Sequence, residues 1–140
     1  MADALPTKIN LTVVTRERKI IDTEVDEVVL PASDGEIGVL PGHTPLLTSL
    51  KVGIMRYRTN GESQSLVLSW GFAEILPERV IVMAETARLP REIDPAAAEA
   101  ERIEAEKELA YLSSHDPEFA VVEGRLEESV ALINVGRHDQ

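Results

Sequence analysis

A mostly β N-terminal domain, a flattened β-sandwich or barrel, followed by a C-terminal antiparallel two-helix hairpin is the fold this sequence predicts. Three observations lead there: short alternating segments punctuated by turn residues from Ile9 to about Leu89, a change of period at Leu89-Pro90, and two Asp-Pro helix starts beyond it. At 140 residues the chain has room for one ordinary domain, or a small domain with an appendage, and not for two full cores. The expected division is a β domain over 1–89, a hinge over 90–94 and a helical hairpin over 95–140.

Ile9, Leu11 and Val13 alternate with Asn10, Thr12 and Val14, the period of a strand with one buried face. The run Leu30 to Leu50 follows, in which Gly35, Gly38 and Gly42 permit backbone angles closed to other residues while Pro41 and Pro45 fix φ and withhold a donor. Such a segment folds back tightly twice, with Asp34, Glu36 and His43 at its bends, where loops meet other molecules. Met55, Tyr57 and Thr59 then alternate with Ile54, Arg56 and Arg58. Asn60-Gly61 tolerates positive φ at both positions and predicts a tight hairpin turn, with Ser65 to Trp70 as the returning strand. Pro77, Glu78 and Arg79 mark another reversal before Val80 to Met83. Many short strands between turns point to a sandwich or flattened barrel.

Beyond Leu89, Asp94-Pro95 starts a helix: the carboxylate accepts from orphan backbone N–H groups, and proline at the first helical position loses nothing. The helix is expected from Ala96 to about Ser113, with two narrow apolar faces. One carries Ala96, Ala100, Ile103, Ala110 and Tyr111; nearly opposite lie Ala98, Ala105, Leu109 and Leu112. A helix with two such faces touches two things. Ser113 to Pro117 breaks the pattern and repeats the start signal at Asp116-Pro117. The second helix shows one stripe, Phe119, Val122, Leu126, Val130 and Ile133, with Gly136 as the expected stop.

Composition excludes several classes. A net charge of −11 opposes phosphate binding, and an aromatic content of 4% with the single Trp70 argues against a base-stacking surface. With no cysteine there is no disulfide framework and no thiolate metal site. The start Met1-Ala2-Asp3 lacks a basic flank followed by an apolar stretch, so no secretory signal is expected, and no apolar run approaches the ~20 residues of a membrane span. His43, His115 and His138 have no paired ligand spacing, so no metal is expected. Ser113, Ser114, His115 and Asp116 hold the letters of a catalytic triad, but neighbours in sequence do not make its geometry, and a capping turn is the better reading. The acids from Glu99 to Glu108 spread around a helix with Arg102 and Lys107 among them, as on a solvated face. No cofactor is expected.

The run Asp34-Gly35-Glu36-Ile37-Gly38-Val39-Leu40-Pro41-Gly42-His43-Thr44-Pro45-Leu46-Leu47 closely resembles the D/E-G-E-x-G-x-x-P-G-H-x-P-L-L motif of the epsilon subunits of bacterial and chloroplast-type F-type ATP synthases. The mitochondrial homologue of that family goes by the name delta. The resemblance implies a β-sandwich at the foot of the central rotor stalk, coupling the gamma subunit to the c-ring in ATP synthesis and hydrogen ion transport, with no active site of its own. It implies that the loop at Asp34, Gly35 and Glu36 faces the c-ring, and that the turn at Pro41, Gly42 and His43, with Gly38 before it, lies toward gamma. It further implies a regulatory helical hairpin that folds on the β domain or extends toward the alpha/beta catalytic head, where it blocks ATP hydrolysis; the Phe119 to Ile133 stripe is its contact face. The expected location is the cytoplasmic side of a bacterial plasma membrane, or a plastid thylakoid, held there by partners without insertion.

Two departures bear on regulation. Some members bind ATP through an I/L-D-x-x-R-A motif; here Ile93, Asp94, Ala97 and Ala98 stand at those positions, with alanine for arginine, so nucleotide binding is expected to be weak or absent. Residues 91–140 hold five Lys/Arg and thirteen Asp/Glu, a net of −8, which sets the hairpin against acidic partner loops and predicts weak inhibition or inhibition through apolar contacts. Two other readings are a free-standing adaptor pairing its acidic hairpin with a coiled segment, and a small β-sandwich enzyme with a site at the Asp34 to His43 loops.

Overall fold

The computed structural model describes residues 5–138; the Met1-Ala2-Asp3 start and the side chain of His138 lie outside what it describes. The chain forms two compact units, the first reaching Ala87 and the second starting at Arg88.

Eight strands build the first unit: β1 (Ile9–Val14), β2 (Lys19–Val25), β3 (Glu27–Ala32), β4 (Gly35–Val39), β5 (Leu46–Leu50), β6 (Gly53–Thr59), β7 (Glu62–Leu76) and β8 (Arg79–Arg88). They pair in the order β2-β1-β8-β7-β5-β3-β4, and β6 bridges β3 and β7, which wraps the sheet round into the expected flattened sandwich. The alternation read from the sequence decides which side chains point inward. Ile9, Leu11 and Val13 of β1 are fully buried and meet Leu30, Met55, Leu66 and Val82 as part of the core. Asn60 (φ 52°) and Gly61 (φ 81°) make the β6–β7 turn with two positive φ angles, the form that matches strand twist.

The returning strand β7 runs on to Leu76, past the expected end at Trp70, because it serves two partners. Residues 62–68 pair with β6, and residues 71–75 pair with β5. Between them the strand kinks without inserting a residue, since Gly53 opposite Leu68 and Leu50 opposite Gly71 keep one register. Leu66 to Ser69 are all buried before the kink and Ala73 and Ile75 after it, with Trp70 and Phe72 exposed between. The kink falls at Trp70 (φ 46°) and Gly71 (φ 156°). No side chain fits at Gly71: a Cβ there would lie 2.0 Å from the Met83 carbonyl oxygen and 2.9 Å from the Ala84 Cα on β8.

Charge pins the β6–β7 turn from below. Asp26 accepts from Lys8 and from the Asn60 backbone N–H at 2.9 Å, with Arg58 at 4.0 Å. The Lys8 bond, then the Asn60 bond, hold the Asp26 carboxyl below the ordinary carboxylate range.

The second unit holds a 3-10 turn (Pro90–Glu92) and two helices, α1 (Pro95–Ala110) and α2 (Pro117–His138), packed on each other. Asp94 caps α1 by accepting from Ala96 N and Ala97 N at 3.0 and 3.2 Å, with Pro95 at the first position, as expected. The helix stops at Ala110, short of the expected Ser113. Its last turn tightens, with Tyr111 N donating to Glu108 O and Leu112 N to Leu109 O. Of its two apolar faces only one is covered. Ala98 and Ala105 are buried and Leu109 and Leu112 half-buried, whereas Ile103 and Tyr111 are exposed along with Ala96, Ala100 and Ala110.

In α2 the expected stripe is buried at Val122 and Ile133 and half-buried at Phe119 and Leu126, but Val130 is 39% exposed and Ser129, one residue earlier, takes the inward place. Ser129 is tolerated there because its hydroxyl donates to Leu126 O at 2.8 Å. Gly136 does not stop the helix, which continues to His138. Its lack of a side chain serves close packing instead: a Cβ would stand 3.1 Å from Ile93 Cγ2 and 3.3 Å from Pro95 Cγ.

Replacing Gly71 by Ala should lower stability by about 2 kcal/mol or more, since the added carbon must move β8 backbone. Gly38→Ala, at a site with open space, should be neutral or stabilising by up to ~1 kcal/mol. Urea midpoints followed through Trp70 fluorescence distinguish the two; equal midpoints would refute the close approach assigned to Gly71. Because the Asp26 carboxyl is depressed in the folded state, its stabilisation is complete at neutral pH and declines as pH falls below about 4. The midpoint gap between the wild-type chain and Asp26→Asn should therefore shrink over that acid range, and a gap independent of pH would contradict it.

Candidate functional site

The Gly/Pro segment forms two turns at opposite ends of β4. The first, Ser33-Asp34, joins β3 to β4, with Ala32 paired to Gly35 across it and Gly35 at φ 130°. Ser33 ties this turn to β5: its N–H donates to Ser49 O at 3.0 Å and the two hydroxyls lie 2.6 Å apart. Asp34 is exposed at the tip. Glu36 projects from the outer face of β4 and pairs with Arg56 of β6 at 3.1 Å.

The second turn, Leu40 to His43, has Pro41 and Gly42 at its centre, with Gly42 at φ 86° and His43 N donating to Leu40 O at 3.2 Å, the backbone form of a type II turn. Gly42 N donates to Pro77 O at 2.7 Å, fastening it to the β7–β8 turn. The His43 Nδ1 lies 2.6 Å from Thr44 O, so Nδ1 carries the proton and Nε2 is the ring atom left for a partner. The two turns thus form separate polar ends joined by the five residues of β4.

Between them lies a feature the alternation alone did not reveal. On β5 and β7, Leu50, Ala73 and Ile75 are buried, Leu46 shares the Ile75 face but is 40% exposed, and Leu47 and Phe72 lie on the opposite, outward face. The two-residue Pro77-Glu78 turn sets β8 beside β7 so that Phe72 falls opposite Met83, consistent with the nearness of Gly71 to Met83 and Ala84. Leu47, Phe72, Trp70 and Met83 are 67%, 56%, 49% and 45% exposed. Four large apolar side chains clustered on one open sheet face mark an interaction surface rather than scattered surface hydrophobes. The usable signal in the sequence was the dipeptide Trp70-Gly71 inside an otherwise regular strand, a mark of close backbone approach.

In the helical unit, the residues of the nucleotide-like motif have local tasks. Asp94 is the α1 cap, Ile93 lies against Gly136, and Ala97 is exposed while Ala98 is buried. A shallow groove of about 310 Å³ runs past Glu99, Arg102, Asn134 and Arg137. Of its two cations, Arg102 is already paired with Glu99 and Glu106, the latter at 2.7 Å; the Arg102 bond holds the Glu99 carboxyl below its ordinary range. Ser113, His115 and Asp116 form an exposed connecting turn: Asp116 accepts from Ser113 N at 2.8 Å, and Ser113 Oγ stands 3.4 Å from His115 Nδ1. The carboxylate addresses the backbone and not the imidazole. Among the described residues no cluster of three or more His, Asp or Glu has the arrangement of a metal site, and no helix is long and apolar enough to cross a membrane.

Residues 8–90 match the family model described as the ATP synthase, Delta/Epsilon chain, beta-sandwich domain. The chain is 41% identical over 128 residues to the ATP synthase epsilon chain of Citrifermentans bemidjiense, covering 91% of this chain and 93% of that one. It is 40% identical over 128 residues to the epsilon chain of Geobacter sulfurreducens, at the same coverage. Among solved structures, a chain of the Euglena gracilis mitochondrial ATP synthase OSCP/F1/c-ring assembly aligns with a TM-score of 0.80 at 26% identity, over 93% of this chain and 82% of that one. A chain of the Tetrahymena thermophila mitochondrial ATP synthase central stalk and c-ring shares the fold, with a TM-score of 0.64 at 11% identity over 95% of this chain and 99% of that one.

Proposed function

The chain belongs to the ATP synthase delta/epsilon family, and from that premise we propose that it is the rotor subunit of a proton-translocating F-type ATP synthase, joining the gamma subunit to the c-ring without an active site of its own. The observation that carries this reading is the open apolar face of Leu47, Trp70, Phe72 and Met83 beside the fastened Pro41-Gly42-His43 turn. A subunit that transmits torque needs a permanent apolar grip on its shaft and stiff loops around it. Proline, tightly turned glycine and the bond from Gly42 to Pro77 remove slack from the second turn. On this reading the apolar face and His43 meet gamma, and the polar end at Asp34, Gly35 and Glu36 meets the c-ring loops. The protein then sits peripherally on the cytoplasmic side of the membrane, held by those partners.

Residues 90–94 are the proposed hinge and the hairpin the proposed regulatory part. The helical stripe from Phe119 to Ile133 and the exposed Ile103 and Tyr111 face of α1 supply its apolar contacts in an extended state. Its −8 charge favours such contacts over ionic ones with acidic partner loops.

Charge placed on the outer face tests the grip. Leu47→Asp with Phe72→Asp should leave the fold intact, both side chains being exposed, yet abolish comigration of the chain with gamma on gel filtration. Retained stoichiometric comigration would move the interface elsewhere, and a lone peak for the wild-type chain would favour the adaptor. Nucleotide is a separate matter: with Asp94 committed to its helix cap and alanine at position 97, equilibrium titration of ATP should show no micromolar binding. Micromolar affinity for the isolated chain would overturn that expectation.

A further inference from the structure

Residues 91–140 carry five Lys/Arg against thirteen Asp/Glu, so folding α2 back on α1 brings two acidic helices together against their own repulsion. The apolar seam that opposes this is thin. On α1 its buried members are only Ala98 and Ala105, which lie within about 60° of Glu101 around the helix. Glu108 stands seven residues beyond Glu101, two turns along nearly the same face and ~10.5 Å away by helical rise. Arg125 of α2 meets both. Its Nε and Nη2 bond Glu101 Oε1 at 2.7 and 2.6 Å, and its Nη1 bonds Glu108 Oε2 at 2.7 Å. Each guanidinium nitrogen is engaged. Arg102, by contrast, bonds Glu99 and Glu106 of its own helix. Both ion pairs found between α1 and α2 among the described residues belong to Arg125.

We propose that Arg125 is an ionic latch that sets the axial register of α2 on α1 and makes closure of the hairpin respond to ionic strength. A slide of one helical turn, ~5.4 Å, would take the guanidinium away from one of the two carboxylates and leave that charge facing an acidic helix. The planar fork spanning two acids is a geometry that a lysine ammonium cannot reproduce. On α2, Val122, Ser129 and Gly136 flank Arg125 on the same side, so the latch sits over the close-packed seam instead of at a helix edge. This inference concerns the chain's own helices and stands independently of the rotor reading.

Hydrogen exchange of the full chain tests it. In Arg125→Met, which keeps much of the apolar stem, amides of α1 and α2 should exchange about fivefold faster at low salt while the strands are unchanged. At ~1 M salt, where screening shortens to about 3 Å, the gap should close to less than about twofold. Arg125→Glu alone should be faster still, and combining it with Glu101→Arg and Glu108→Arg should restore slow exchange. Equal rates for wild type and Arg125→Met at low salt would overturn the latch. So would a gap that salt leaves unchanged, which would assign the effect to lost packing of the stem, or a reversed-charge protein that fails to recover.

Discussion

The contact between the Gly71 backbone and the Met83 carbonyl on the neighbouring strand is the constraint on which the β unit depends. It fixes the kink at Trp70 and Gly71 where β7 passes from its β6 pairing to its β5 pairing in one register. Beyond the kink Phe72 lies on the open side, next to Leu47 and Met83. Folding and the proposed docking face therefore meet at one dipeptide: the kink that lets β7 serve two partner strands also borders the apolar face proposed to grip the shaft.

The helical unit is organised by a different balance. Its buried residues are Ala98, Ala105, Val122, Ala131, Ile133, Val135 and Ser129, the last satisfied within its own helix, so small side chains predominate and close approach is gained. Close approach suits Gly136 near Ile93 and Pro95, and it suits Arg125 spanning two carboxylates. A large buried core would hold these helices together under all conditions. Short side chains and one bridging cation leave their closure within reach of solvent conditions and partners, in keeping with the regulatory role proposed for the hairpin.

Much of this was legible in advance. The strand alternation in β1 and β6, the Asn60-Gly61 turn and the Asp94-Pro95 start depend on each residue's own backbone preferences and its nearest neighbours, and they appear where those preferences put them. The turn residues Asp34, Gly35, Pro41, Gly42 and His43 were legible for the same reason. The apolar face was not, because the run Leu66-Val67-Leu68-Ser69 shows no phase and the kink that follows it is fixed by Met83 and Ala84 on the next strand. Gly136 was misjudged as a helix stop since a glycine signals only that a side chain is missing, and whether a turn or a neighbour needs that space is decided elsewhere in the chain. Ser129 and Val130 exchanged places for a related reason: α2 turns its inward face to suit the seam and not its own most apolar edge.

Local stereochemistry written in the sequence thus determined the kinds and order of elements, the two turns of the glycine-proline run, the acidic character of the hairpin and the family to which the chain belongs. Tertiary structure alone decided which face of β7 is open, where α2 ends and which carboxylates Arg125 joins. Those features are set by atoms brought together from distant positions, such as Gly71 with Met83, Gly136 with Ile93 and Arg125 with Glu101, and no local pattern encodes a distance of that kind.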